Sequence, residues 1–200
     1  MRVGIYGGTF DPPHIGHINA CEQFLNAFSM DKLFVIPACV PPHKELNSNS
    51  TVQNRFEMSQ IAFSRISNKI EISDVEIKRK GKSFTSDTLL HFRNLGFDDI
   101  LLLCGTDMYI TLDEWYNPEY IFEVATIVCA RRENETINDE LIQQKTKLYI
   151  EKFNARVQML DLKVIDISSS EIREQIKKNQ DCEFLTAEVM QYIKAKKLYR

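Results

Sequence analysis

His14 and His17 stand three residues apart with Gly16 between them, at the end of the run Gly7-Gly8-Thr9-Phe10-Asp11-Pro12-Pro13. Two imidazoles at that spacing in the first turn of a helix project from one side, and each offers an N–H donor to an anionic oxygen. Glycine at 16 removes a side chain so that a polyanion can come close. Gly7 and Gly8 let backbone amides approach as well, and Pro12-Pro13 stiffens the turn that presents them. The chemistry that suits this set is phosphate binding. The same histidines have two blander uses, a zinc-binding pair and a helix cap. Zinc finds little support, because the H-E-x-x-H spacing is absent and the only other histidines are His43 and His91. The cap stays open.

Such residues need elements that bring them to one edge. Arg2-Val3-Gly4-Ile5-Tyr6 has the apolar, β-branched content of a buried strand and stops at Gly7-Gly8. Downstream, Ile15, Ile18, Cys21, Leu25 and Phe28 recur at the spacing of an amphipathic helix. The histidines therefore lie on a strand-to-helix loop, where open α/β sheets place ligands and helix N–H groups favour an anion. Strands are predicted near 2–6, 32–36, 70–77, 99–104, 125–130 and 156–165, and helices at 15–28, 51–65, 85–95, 138–153, 169–178 and 186–197. That alternation predicts an α/β fold, a doubly wound, Rossmann-like parallel sheet, in one domain over 1–200 with 168–200 as its helical C-terminal part. Residues 37–50 read as a mobile loop and Lys78-Arg79-Lys80-Gly81-Lys82 as a solvated turn.

The chain of 200 residues is 44% hydrophobic and 26% charged, which suits a sizeable core. A net charge of -3 gives no global attraction for nucleic acid, and no apolar run approaches the roughly 20 residues that span a bilayer. The first strand starts at the initial Met without a basic, apolar leader, so a soluble, cytoplasmic protein is expected. Cys21, Cys39, Cys104, Cys129 and Cys182 are odd in number and well separated, as free thiols in a reducing compartment would be. Two common phosphate fingerprints are missing. No G-x-G-x-x-G runs through Gly4, Gly7, Gly8 and Gly16, and Gly81-Lys82-Ser83 lacks its Walker partner because position 76 is Glu.

Further stretches carry chemistry. In Ser168-Ser169-Ser170-Glu171-Ile172-Arg173, Ser168 and Glu171 fit a capping box, while hydroxyls, first-turn amides and Arg173 suit phosphate oxygens. The cap alone gives Arg173 no task. Trp115, the only tryptophan, lies in the polar loop Asp113-Glu114-Trp115-Tyr116-Asn117-Pro118, which favours stacking over burial.

The run GGTFDPPHIGH resembles the signature of the HxGH nucleotidyltransferases. With Pro41-Pro42-His43-Lys44, Ser83-Phe84-Thr85-Ser86-Asp87-Thr88-Leu89, Gly105-Thr106-Asp107, Trp115-Tyr116 and Ile167 to Arg173, the chain resembles the bacterial nicotinate mononucleotide adenylyltransferase family nearly end to end. A closing Tyr192-Ile193 with Leu198-Tyr199 also fits. The resemblance implies transfer of AMP from ATP to nicotinate mononucleotide in NAD biosynthesis, giving nicotinate adenine dinucleotide and pyrophosphate, with Mg²⁺ on the ATP phosphates and no metal ligand from protein side chains. It implies catalytic roles for His14, His17, Lys44 and Arg173. ATP would be held by Gly7, Gly8, Thr9, Phe10, His14, His17, Gly105, Asp107, Ile167, Ser168, Ser169 and Arg173. The mononucleotide would be held by Asp11, Lys44, Thr85, Trp115, Tyr116 and Arg131. Partners are then small molecules, with neither nucleic acid nor membrane, and self-association into a homo-oligomer stays open. The chain departs from the family pattern at Arg132, where proline is common, and at Leu185-Thr186, which replace Val-Pro. Phosphopantetheine adenylyltransferases and cytidylyltransferases share the first motif but lack the Trp115 element or carry Thr where His14 stands. Class I aminoacyl-tRNA synthetases share His-Ile-Gly-His, yet no Lys-Met-Ser-Lys-Ser follows here. A non-catalytic dinucleotide-binding module would bind without turnover, and its glycine fingerprint is missing.

Overall fold

A computed structural model describes residues 1–42, 48–132, 139–163, 165–180 and 182–200, the side chain of Arg132 excepted. The first half of the chain runs β1 (Arg2–Gly8), α1 (Ile15–Ala27), β2 (Lys32–Pro37), α2 (Val52–Phe63), β3 (Ile70–Ile72), α3 (Val75–Arg79) and α4 (Thr85–Asn94). It continues as β4 (Asp99–Gly105), α5 (Thr106–Tyr109), a 3-10 turn (Leu112–Glu114), α6 (Pro118–Val124), β5 (Ala125–Arg132), α7 (Asp139–Phe153), β6 (Arg156–Leu162), α8 (Ser169–Lys177) and α9 (Ala187–Lys196). All strand pairs are parallel and the spatial order is β3-β2-β1-β4-β5-β6. This is the doubly wound parallel sheet expected from the alternation of elements.

Alternation within each strand divides the core between two faces. Ile100, Leu102 and Cys104 of β4 face one side with Phe92, Tyr109, Phe122 and Tyr149. Leu101 and Leu103 face the other with Phe24, Met58, Phe63, Ile172, Val189 and Tyr199. The C-terminal helices thus cover the same sheet face as α1 and α2. All five cysteines are free thiols, with Cys21, Cys104 and Cys129 buried.

Several elements differ from expectation. Residues 73–77 do not continue β3; Val75 and Ile77 alternate like strand residues but form the short helix α3, which buries Val75 and Glu76. The strand expected to reach 165 ends at Leu162. The crossover from β4 to β5 holds α5, the 3-10 turn and α6, each too short for a helical period to register in the sequence. Pro118 at the first position of α6 was the local signal. Arg79 is no solvated turn residue: its guanidinium donates to Thr88 Oγ1 at 3.2 Å and to the Phe84 carbonyl at 3.3 Å. The 37–50 loop is tied at both described ends. The Cys39 N–H donates to Ser83 Oγ at 2.8 Å, and Ser48 and Ser50 both donate to Asp11.

The sheet order matters most for function. From β1 the chain winds outward through β2 and β3, then returns to the other side of β1 with β4. The two windings part at the carboxyl ends of β1 and β4, which opens the crevice where doubly wound sheets bind ligands. The His14 loop follows one of those strand ends and Gly105-Thr106-Asp107 sits on the other.

Candidate active site

The loop after β1 delivers His14 as the N-cap of α1. The His14 N–H donates to His17 Nδ1 at 3.2 Å, so the histidine three residues on satisfies an amide at the helix start. The capping use is therefore present, and it constrains the chemistry. With Nδ1 accepting, a neutral His17 ring carries its proton on Nε2, the nitrogen that can donate to an anion. The two rings lie 3.7 Å apart at 35°. His14 is only 6% exposed. Burial pushes its pKa down to about 4, against a weaker upward pull from Glu171, so it is neutral at pH 7. Its Nδ1 is buried and finds no hydrogen-bond partner among the described residues.

The glycines divide into two kinds. A Cβ at Gly16 would stand 3.0 Å from His14 Cε1 and Nδ1, so the room freed there belongs to the His14 ring itself rather than to a ligand. A Cβ at Gly8 would stand 2.7 Å from Phe10 Cζ. Phe10 is a core residue at 1% exposure, packed edge-on against Tyr6, His17 and Phe63, so only its backbone can meet a nucleotide. Gly7 and Gly105, at the ends of β1 and β4, have nothing within 4 Å of a built Cβ. These strand ends leave room for a ligand to approach the backbone. Asp107, exposed, lies beside Gly105 in the first turn of α5.

α8 clamps the loop from the far side. Ser169 Oγ donates to the Pro12 carbonyl at 3.0 Å, and Arg173 Nη1 donates to the Asp11 carbonyl at 2.8 Å. Arg173 thus has a structural task that the capping box alone did not reveal. Ser168 and Glu171 form that box, with the Ser168 N–H and hydroxyl on Glu171 Oε2 at 2.8 and 2.7 Å, and these bonds hold the Glu171 carboxyl below the usual range. The Ser168 and Ser169 hydroxyls donate to protein partners while Ser170 accepts from Arg173, so an anion at this helix start meets backbone N–H groups and at most the Ser170 hydroxyl. Ile167 leads into this turn, half-buried. The Asp11 side chain is 3% exposed and accepts from Ser48, Ser50 and Tyr199. That assignment leaves it facing protein instead of a mononucleotide. Thr9 is half-buried, its carbonyl accepting from Arg55.

A second cluster stands at the start of α4. Thr85 opens that helix, and the Phe84 ring before it lies on Tyr116 with centroids 4.5 Å apart, which brings Thr85 and Tyr116 to one place. Tyr116 is 58% exposed. Trp115 is half-buried against the first core and donates its indole N–H to Thr111 Oγ1 at 3.3 Å. Arg131 pairs with Asp161 at 2.6 Å and lies 3.7 Å from Asp139. It would have to leave these carboxylates to meet a substrate. Lys44 and His43 lie outside the described residues.

Residues 5–175 match the family described as cytidylyltransferase-like. Over its whole length the chain is 37% identical to a Clostridium tetani protein, covering 99% of it, and 34% identical to one from Caldicellulosiruptor saccharolyticus, covering 100% of it. Both bear the name "Probable nicotinate-nucleotide adenylyltransferase". The chain belongs to the nicotinate-nucleotide adenylyltransferase family. It is a nucleotidyltransferase. Its fold matches the Plasmodium falciparum nicotinic acid mononucleotide adenylyltransferase complexed with NaAD, at a TM-score of 0.80 and 22% identity over 99% of this chain and 97% of that one.

In this adenylyltransferase two arrangements escaped sequence reasoning. Arg55 of α2 is 1% exposed and donates to the Thr9 carbonyl at 2.8 Å and the Cys39 carbonyl at 2.9 Å, joining the loops after β1 and β2. The available signal was a charge in line with Met58, Ser59 and Ala62 on the buried helix stripe. Lys145 of α7 pairs with Asp113 at 2.7 Å, and the Tyr149 hydroxyl donates to the Tyr109 carbonyl at 2.7 Å. Together they hold the turn that precedes Trp115. No motif in α7 announces this. Among the described residues no helix is long and apolar enough to cross a membrane.

Proposed function

We propose that this enzyme transfers AMP from ATP to the 5′-phosphate of nicotinate mononucleotide, with His14, His17 and the start of α8 around the reacting phosphates and with Thr85, Trp115 and Tyr116 around the pyridine ring. The observation that carries the reading is the meeting of His14, His17, Arg173 and the first turn of α8 beside the open strand ends at Gly7 and Gly105. A mononucleotide oxygen attacks the α-phosphorus, the bond to the bridging oxygen breaks, and pyrophosphate leaves. A phosphate monoester with its second pKa near 6 is already an anion at neutral pH, so no general base is needed. The demand on the protein is positioning and charge stabilisation.

His14 fits that demand as a neutral, buried ring that donates without exchanging a proton in the working pH range. His17 presents Nε2–H. Arg173 keeps further N–H donors for the β and γ phosphates while one holds Asp11. Among the described residues no three His, Cys, Asp or Glu side chains are placed to hold a metal ion. By family resemblance a divalent cation would sit on the triphosphate oxygens, where it would offset the charge of departing pyrophosphate. Lys44 is assigned a phosphate contact on family resemblance, and Gly105 and Asp107 the adenosine side.

The test is pyrophosphate release from ATP with nicotinate mononucleotide, nicotinamide mononucleotide or phosphopantetheine. N–H and hydroxyl donors at the start of α4 suit a carboxylate, whereas an amide turns its NH₂ toward one of them. An unpaired buried donor costs about 1 to 3 kcal/mol, so the acid should be preferred roughly ten- to a hundredfold in kcat/KM. Equal use of acid and amide would overturn the pyridine site, and activity confined to phosphopantetheine would overturn the reaction.

A further inference from the structure

We propose that Tyr199 is a positioning residue for the His14 and His17 loop, acting through the Asp11 carboxylate. The inference rests on the adenylyl-transfer reading and adds to it a residue in the last turn of the chain, 188 positions from its partner.

The Tyr199 hydroxyl donates to Asp11 Oδ1 at 2.7 Å, with both residues almost fully buried, at 2% and 3% exposure. Ser50 donates to the same oxygen and Ser48 to Oδ2 at 2.7 Å. The tail that carries Tyr199 is itself tied to the segment before α2. Its N–H donates to Asn49 Oδ1 at 2.7 Å, and Asn49 Nδ2 donates to the Lys197 carbonyl at 3.3 Å. Lys197 and Tyr199 both adopt left-handed backbone, at φ 54° and 60°. Bulky residues avoid that region, and they hold it only where surrounding contacts over-determine the conformation.

What this network grips is the chemistry-bearing loop. Asp11 stands three residues before His14, with Pro12 and Pro13 between, whose fixed φ angles leave little slack. The Asp11 carbonyl is held by Arg173 and the neighbouring Thr9 carbonyl by Arg55. The backbone is thus fixed by two guanidinium groups, and the Asp11 side chain by three hydroxyls. Removing the Tyr199 hydroxyl leaves Asp11 Oδ1 with the Ser50 hydroxyl alone, and the buried carboxylate turns to recover its second donor. That turn travels through the two prolines to the His14 amide and its bond to His17 Nδ1. Misplacement of reacting groups by about 1 Å can cost 10²-fold in rate, so a partial displacement is visible in turnover.

The experiment is Tyr199→Phe in the full chain, assayed well below its melting temperature. The expected result is a kcat about tenfold lower with KM for ATP and nicotinate mononucleotide within about twofold, because transition-state alignment changes more than ground-state binding. A readout independent of turnover is the ¹⁵N spectrum of the His17 ring, which should move from the Nε2–H form toward a mixture as its bond to the His14 amide loosens. Ser48→Ala, at a half-buried site, should shift both readouts the same way by about a third as much and serves if Tyr199→Phe does not fold. A lower melting temperature with unchanged kcat and unchanged His17 signals would overturn the proposal and leave the network a stabilising lock. A wild-type protein that releases no pyrophosphate would count against the reaction, while the His17 spectrum would still decide the positioning role.

Discussion

The two ends of the candidate site are built differently. At the proposed phosphate end most polar groups are held: the His14 amide by His17, the Asp11 side chain by three hydroxyls, and the loop carbonyls by Ser169, Arg173 and Arg55. At the proposed pyridine end Tyr116 is largely exposed and Trp115 is half-buried, and their support includes the Phe84 ring on Tyr116, the Trp115 indole bond to Thr111 and the Asp113 pair with Lys145 two residues away. The difference teaches how the work is divided. Charge that develops in a transition state is best met by donors that need no reorganisation, which requires a fixed frame. Recognition of a flat ring needs only a surface to stack on, and aromatic stacking tolerates looser placement.

The strongest way to break this comparison is His17→Ala. It removes both the proposed donor to the reacting phosphates and the partner of the His14 amide, so kcat should fall by two decades or more, the ~3 kcal/mol typical of one preorganised donor. Near-normal turnover in a folded variant would show that the phosphate end is not organised around His17.

The fixed frame should also appear in stability. The unfolded chain protonates His14 near pH 6.5, but the folded chain resists until about 4, so stability is present above 6.5 and is lost as the pH falls toward 4. The loss approaches about 3 kcal/mol at the acid end. Denaturant titrations from pH 7.5 to 4 should show this slope in the wild type and a flatter one in His14→Gln. Parallel curves would mean that His14 is not buried as a neutral ring.

Arg173→Ala sharpens the contrast by touching one end only. Loss of its bonds to Asp11 and Ser170 should lower stability by about 2 kcal/mol, and the missing charge should raise KM for ATP by roughly tenfold or more. KM for the mononucleotide should stay within about twofold, and an effect confined to the mononucleotide would reverse the assignment.

The smallest effect is expected from Trp115→Ala. Lost stacking of about 1 kcal/mol should raise KM about fivefold for both acid and amide mononucleotides, leaving their ratio and KM for ATP unchanged. A changed acid-to-amide ratio would show that Trp115 shapes the carboxylate site as well as the stacking surface.

Much of this protein was legible in the sequence because the relevant signals are local. Strand and helix periods predicted the order of elements, the step from Ile5 through Gly7-Gly8 to His14 located the first loop, and Ser168 with Glu171 announced a capping box that is present. Short elements such as α3 and α6 were lost, since five to seven residues cannot establish a helical period.

What only the tertiary structure decided is the set of partners. Sequence supplied Asp11, Arg55 and Tyr199 as charged or polar residues without visible partners, and burial turned each into an obligation to find a hydrogen bond, while half-buried Arg173 was drawn onto the Asp11 carbonyl. The packing of α2, α8 and the last turn onto one sheet face met those obligations in the loop that carries the histidines. The local pattern therefore determined which residues could do chemistry. The fold determined which of them are held still, because desolvation acts only once distant segments come together.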